Sequence, residues 1–204
     1  MKQSRGHGIH SPFAYDLITN VLRSPYSYYA FQDIERVLTD SGLDAGVISG
    51  FNHLSYRLVH HFNAKTILEI NSGKGVNTLF LTAPSRDTRC TCVEEDVGAV
   101  AIAKRLQEKL GMRSEIIPVL PAGEEKCYDA IFVNLDDKNQ ITIDTLMEHS
   151  HDNSFWVFYP LNCSSGKQYW HNIVKDERAR ITFDTRNCGI VFLRFSQHKL
   201  NYFV

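Results

Sequence analysis

Thr66-Ile67-Leu68-Glu69-Ile70-Asn71-Ser72-Gly73-Lys74-Gly75-Val76 decides the fold. Thr66 to Ile70 is short, mostly apolar and rich in β-branched residues, which reads as a buried strand. Asn71 to Gly75 reads as a turn, and Val76 to Thr82 as a helix. A glycine-rich turn between a strand and a helix lets a ligand come close to the backbone, because no Cβ intrudes. It also aims helix N–H groups at that ligand.

The same alternation continues downstream. Further strands are expected at Arg89–Val93, Glu115–Val119, Asp129–Val133 and Ser154–Tyr159. Between them, Asp96 can cap a helix whose stripe is Val97, Val100, Ala103, Leu106 and Leu110, and Gly111 ends it. Ile141–His149 and Tyr169–Val174 read as shorter helices. Strands alternating with helices imply right-handed crossovers and a parallel sheet covered on both faces. The last two strands, Arg180–Asp184 and Ile190–Phe195, are linked tightly at Asn187-Cys188-Gly189, so one must run antiparallel. Ligands in such open sheets sit beyond the carboxyl ends of the strands, next to the first strand.

Upstream of Lys65 the pattern is helical. Ser11-Pro12 reads as a cap with proline in the first turn, followed by a Phe13, Leu17, Val21 stripe. Tyr29–Leu38 presents Phe31, Ile34 and Leu38, and Phe51–Phe62 presents Leu54, Leu58 and Phe62, with a loop at Ser41–Ser49. Residues 1–63 are therefore expected to form a helical extension packed on a core of residues 64–204, the two making one structural unit.

A chain of 204 residues with 43% apolar and 22% charged residues can bury an ordinary core without a staple. Its net charge of -1, from 22 basic and 23 acidic side chains, argues against a broad nucleic-acid or acidic-membrane footprint. No apolar run is long enough to cross a bilayer, which takes about 20 residues. Met1–Ser11 lacks the apolar core of a secretory signal, so a cytoplasmic setting is expected. Five cysteines, with no C-x-x-C pair, fit that setting. They are read as buried reduced thiols rather than a metal site or a disulfide. Cys90 and Cys92 are two apart in an expected strand and point to one face.

The second signal is Val93-Glu94-Glu95-Asp96, at the end of the next strand. A carboxylate there can accept both hydroxyl protons of a ribose. The plain alternative is a strand-turn-helix with a surface acid, and an acid one crossover after the glycine pair favours a nucleoside site. Gly73-Lys74-Gly75-Val76-Asn77-Thr78 lacks the third glycine of a dinucleotide fingerprint, and it is no P-loop.

Glu69-x-x-x-Gly73-x-Gly75 resembles instead the first motif of class I S-adenosylmethionine-dependent methyltransferases, E/D-x-G-x-G-x-G. Tyr128–Val133 resembles that family's fourth strand, and the closing hairpin matches its architecture. The resemblance runs from about Lys65 to the C-terminus and is closest to the small bacterial O-methyltransferase-like branch. Gly6-His7-Gly8-Ile9-His10-Ser11-Pro12-Phe13 resembles the start of bacterial proteins of that branch. It implies a Rossmann-like methyltransferase fold: a mostly parallel seven-stranded sheet with a C-terminal antiparallel hairpin and helices on both faces. S-adenosylmethionine is the implied cofactor. Glu69, Asn71, Ser72, Gly73, Gly75, Glu94 and Asn134 are the implied cofactor-binding residues, with Glu94 on the ribose. Asn134, opposite the sulfonium, or Asp136 could orient an acceptor.

Two departures from the family pattern bear on chemistry. Asn71 replaces the first glycine of the motif. Cation-dependent O-methyltransferases end the fourth strand F-I-D-x-D and bind metal through the first aspartate. Here the run is Phe132-Val133-Asn134-Leu135-Asp136, and the next strand ends Phe158-Tyr159-Pro160-Leu161-Asn162. A hard divalent cation prefers carboxylate oxygens, so no catalytic metal is expected. The prolines of nucleobase amino-methyltransferases are absent too.

His7 and His10 could line a substrate mouth, but are read as fixing the N-terminal turn by hydrogen bonds. His60-His61 and His149, His151 are read as helix-end residues. Tyr26, Tyr28, Tyr29 and Phe31 are read as packing an appended helix rather than as a substrate platform. The reading is methyl transfer from S-adenosylmethionine to a small-molecule acceptor, at oxygen and without metal. Beyond the acceptor, the partner expected is a second copy in a homodimer, with no nucleic acid and no membrane. Alternatives are a catalytically degenerate binding protein of the same fold and, more distantly, an NAD-dependent oxidoreductase.

Overall fold

The computed structural model describes residues 11–112, 114–120, 126–135 and 141–204. In chain order the helices are α1 (Pro12–Asp16), α2 (Tyr29–Asp40), α3 (Gly50–Phe62), α4 (Val76–Thr82), α5 (Val97–Leu110), α6 (Ile143–Glu148) and α7 (Ser164–Lys175). The strands are β1 (Thr66–Ile70), β2 (Arg89–Val93), β3 (Ser114–Ile117), β4 (Tyr128–Asn134), β5 (Ser150–Tyr159), β6 (Ile181–Asp184), β7 (Gly189–Phe192) and β8 (Leu200–Phe203). The chain forms two compact units, Asn20–Ala122 and the remainder, Met1–Thr19 with Gly123–Val204.

In the Asn20–Ala122 unit, β1, β2 and β3 pair in parallel. Both crossovers are helical, as parallel pairing requires. β1 is buried from Ile67 to Ile70, which explains its nearly unbroken apolar run. The expected caps hold: Asp96 Oδ1 accepts from Ala99 N at 2.6 Å, and Gly111 ends α5 in a left-handed conformation. Ala103 and Leu106 of the α5 stripe are buried, while Val97 is 82% exposed. The upstream helices join this core. Phe31, Ile34 and Leu38 of α2 cluster with Tyr56 of α3, Leu79 and Phe80 of α4 and Leu106 of α5. The aromatic run divides: Tyr28 and Phe31 pack against Tyr56, but Tyr26 and Tyr29 are 73% and 90% exposed.

In the other unit, β4 and β5 pair in parallel. β7 runs antiparallel to both β5 and β6, as the tight link demands, and β8 pairs in parallel with β6. Ser11 caps α1, its Oγ accepting from Ala14 N at 3.3 Å. Phe13 stacks edge-on to Phe192 at 4.9 Å, and the Arg194 guanidinium lies over its ring at 3.9 Å. Leu17 of the expected stripe is buried at the start of a π-helical turn, Leu17–Leu22; Val21, also buried, belongs to the Asn20–Ala122 unit.

The fold is the expected Rossmann-like α/β type, with eight described strands instead of seven. The extra strand, β8, is a four-residue segment with its first two residues exposed, too short and too polar to signal itself. β5 begins four residues early, at Ser150, across a register shift between Tyr128 and Ala130. α7 begins at Ser164 because Cys163 acts as its cap, Sγ accepting from Gly166 N at 3.3 Å. The cysteine reading needs correction. Cys90, Cys92 and Cys188 are buried, but Cys127 is exposed and Cys163 half-buried; all five are free thiols. His151 lies within β5, bound to Asp129 at 3.2 Å, rather than at a helix end.

Candidate functional site

The turn after β1 is shaped by three left-handed residues: Asn71 at φ 56°, Gly73 at φ 57° and Gly75 at φ 75°. Asparagine tolerates that region far better than other side chains do, so the turn forms without glycine at position 71. The two glycines serve different ends. A Cβ on Gly75 would lie 2.8 Å from Cβ of Ala103, so Gly75 lets α5 pack against the start of α4. A Cβ on Gly73 would meet nothing within 4 Å. Gly73 therefore faces open space, where a ligand could pass close to the backbone.

Glu94 joins this turn to the end of β2. Its Oε2 accepts from Gly73 N at 2.6 Å, and its Oε1 accepts from Asp96 N at 2.9 Å. Ser72 N donates to Val93 O at 3.2 Å, a second tie between the same loops. Both Glu94 oxygens are thus oriented by backbone. A carboxylate carries about four lone-pair sites, so each oxygen keeps capacity for a further donor. The side chain is half-buried and reachable. Two fixed oxygens, each with an acceptor site to spare, suit a vicinal diol, and the open cradle at Gly73 suits an extended chain beside it. The residues present thus fit a nucleoside cofactor with an amino-acid tail.

Glu69 plays a different part from the one expected of a ligand-facing residue. It is 3% exposed. Asn77 Nδ2 donates to its Oε1 at 3.0 Å and Thr78 Oγ1 to its Oε2 at 2.5 Å. Asn77 Oδ1 in turn accepts from Asn52 Nδ2 at 3.1 Å, and Asn52 closes a capping box with Ser49 at the start of α3. This network braces the turn from beneath. Burial pushes the Glu69 carboxyl up to about 7, against the lowering effect of its hydrogen bonds from Thr78, Asn77 and Cys92. Sequence reasoning missed Asn52, Asn77 and Thr78. Polar residues on α3 and α4 carry no signal of their own, and only the buried acid they serve reveals them.

In the other unit, Asn134 is exposed at the carboxyl end of β4. Beside it, Leu135 N donates to Tyr159 O at 2.6 Å, just before a cis Tyr159–Pro160 bond. Asp136, His7 and His10 lie outside the described residues. A cavity of about 620 Å³, lined among others by Thr82, Arg86, Thr88 and Met112, opens at the amino ends of the strands. It is remote from the glycine turn and gathers no reactive pair. No described helix is long and apolar enough to cross a membrane.

No protein-family model matches the sequence, and no curated protein matches it. Solved structures do match the fold. An O-methyltransferase from Bacillus cereus in complex with SAH is 17% identical, over 88% of this chain and 97% of that one, at a TM-score of 0.62. The SAH-bound methyltransferase of Podospora anserina is 15% identical, over 91% and 97%, also at 0.62. A Streptomyces achromogenes O-methyltransferase of tomaymycin synthesis, in complex with SAM, is 14% identical, over 88% and 96%, at 0.58. The chain has the Rossmann-like fold of these methyltransferases.

Proposed function

We propose that the chain transfers a methyl group from S-adenosylmethionine to the oxygen of a small-molecule acceptor, without a catalytic metal. The observation that carries this reading is the Glu94 carboxylate, held by the Gly73 and Asp96 amides beside a turn with open space above it. Neighbours of the same fold are described with SAH or SAM bound, which supports the same cofactor here. In this reading Glu94 takes the ribose hydroxyls. Gly73 admits the methionine part and Asn71 and Ser72 line the turn, while Gly75, which the sequence also assigns to the methionine part, is taken up by packing against Ala103.

Bound S-adenosylmethionine supplies a methyl group already activated by its sulfonium, which leaves with the bonding electron pair. The protein's work is then alignment and exclusion of water, and these can supply most of the rate. Asn134, an amide at a strand end, is assigned to orienting the acceptor, with Asp136 as its alternate. The metal-free reading rests on donor chemistry: Asn134 and Tyr159-Pro160 stand where hard carboxylate ligands would be needed.

Isothermal titration with S-adenosylmethionine and S-adenosylhomocysteine tests the cofactor. Binding of both in the micromolar range is expected. Binding of neither at high micromolar concentration would favour the degenerate binding protein, for which Asn134 is the specific argument. Any methyl transfer should survive EDTA; activity abolished by the chelator and restored by magnesium would overturn the metal-free reading.

A further inference from the structure

Beneath the glycine turn lies a cluster that the proposed methyl transfer does not use. In the β1/β2 register Glu69 pairs with Cys92, and Ile67 with Cys90. Paired residues share a face, and so do residues two apart on one strand. Glu69, Cys90 and Cys92 therefore converge on the side where Thr78 of α4 packs. Cys90 Sγ and Cys92 Sγ are 3.7 Å apart, Cys92 Sγ and Glu69 Oε2 3.8 Å, and Thr78 Oγ1 and Cys92 Sγ 3.6 Å. One ligand atom from each of Glu69, Cys90 and Cys92 lies within 4.8 Å of the others, and all three residues are buried.

We propose that Glu69, Cys90 and Cys92 form a buried site for one thiophilic divalent cation of the zinc class. The edge lengths carry the argument. A tetrahedral zinc with Zn–S of about 2.3 Å and Zn–O of about 2.0 Å spans S···S edges of roughly 3.8 Å and S···O edges of roughly 3.5 Å. The Cys90–Cys92 edge of 3.7 Å and the Cys92–Glu69 edge of 3.8 Å lie within a few tenths of an ångström of these, and the third edge, held within 4.8 Å, closes by a side-chain adjustment. Two thiolates and one carboxylate select zinc-like ions over magnesium or calcium. The outer arrangement also suits ligation. Asn77 holds Glu69 Oε1, leaving Oε2 on the side of Cys92 Sγ, and Asn52 holds Asn77. Such outer partners orient first ligands and sustain affinity. Thr78 Oγ1 donates to Glu69 Oε2 at 2.5 Å and so orients the carboxylate from outside the ligand set.

Each cysteine ligated gives up its thiol proton to solvent, so loading weakens as pH falls. The site is sealed by β1, β2 and α4, and loading therefore occurs during folding or local opening of α4. Sequence spacing alone read Cys90 and Cys92 as inert, because the third donor comes from strand register. Metal here would brace the same turn that Glu69 braces now, making it structural rather than catalytic.

The test is cobalt(II) as a spectroscopic probe, supplied during expression of the full chain and measured in the purified, reduced protein. One cobalt per chain is expected, with the intense ligand-field bands of tetrahedral cobalt and thiolate charge transfer. Both should vanish in Cys90→Ser and Cys92→Ser and persist in Cys127→Ser and Cys163→Ser. Asn77→Ala, which spares all three ligands, should weaken cobalt retention about tenfold. If the core variants fail to fold, X-ray absorption of the wild-type protein decides, with two sulfurs and oxygen expected in the metal's shell. A folded wild-type chain without tetrahedral cobalt, or a shell with fewer than two sulfurs, would overturn the site. Either would leave the cluster as thiols hydrogen-bonded to a buried acid. S-adenosylhomocysteine titration is independent of both results.

Discussion

The Gly73 amide donates to Glu94 Oε2 at 2.6 Å, binding the turn after β1 to the end of β2. Residues 21 positions apart in sequence thereby form one rigid corner. Each oxygen of the acid keeps an acceptor site beyond the backbone amide that holds it.

Glu94→Ala should therefore weaken S-adenosylhomocysteine binding by about 2 kcal/mol, because charge-assisted hydrogen bonds are lost. That is roughly a thirtyfold rise in Kd. Glu94→Gln keeps one acceptor and should fall between. Titration calorimetry that gives the wild-type affinity for Glu94→Ala would remove the residue from the cofactor site.

The two glycines of the turn separate stability from binding. Gly75→Ala drives a methyl to 2.8 Å from Ala103 Cβ at a positive φ. It should cost roughly 1–3 kcal/mol of overpacking and about 1–2 kcal/mol of left-handed strain. Ala103→Gly should restore much of the packing part. Gly73→Ala carries only the strain, yet places its methyl in the open cradle, so it should harm binding more than folding. Thermal unfolding and titration of both variants check this, and identical profiles for the two would refute the division of labour.

Much of the fold's punctuation was legible in the chain. Ser11, Asp96 and Gly111 announced helix ends through side chains or backbone freedom that act locally, and the structure uses each as expected. That an acid stands at the end of β2 was legible because strand, turn and acid lie in fixed sequence; that it binds the Gly73 amide was not. What stayed hidden depends on register. Glu69 is a buried, braced acid only because β2 brings Cys92 beside it and α4 brings Asn77 and Thr78 over it. Cys163 as a helix cap and β8 as an edge strand were equally silent, the first for its unusual residue type, the second for its length.

Glu69 makes stability depend on pH. Its folded value of about 7 lies above its ordinary 4.5. An acid raised on folding stabilises relative to its ionised form fully below 4.5, and that contribution is lost as pH rises through about 7. The full span is on the order of 3 kcal/mol. In the presence of chelator, the wild-type melting temperature should fall between pH 5 and pH 8 more steeply than that of Glu69→Gln. Glutamine keeps an oxygen for Asn77 or Thr78 and cannot ionise. Parallel slopes for the two proteins would show that Glu69 does not titrate in this window.

Asn71 stands where related motifs place glycine, and its φ of 56° shows that the backbone there takes the left-handed form all the same. The turn is thus preserved, and the difference from glycine is the amide side chain carried by the first residue of the turn. Asn71→Gly keeps the conformation and removes that group. If the amide narrows the cofactor site, S-adenosylhomocysteine should bind about tenfold tighter to the variant, or about 1.4 kcal/mol. Folding stability should fall by several tenths of a kcal/mol to about 1 kcal/mol, because glycine gains more freedom in the unfolded chain. The two effects have opposite signs and are read separately, by calorimetric titration and by thermal unfolding. Weaker binding by Asn71→Gly would reverse the assignment and make the amide a working contact to the cofactor.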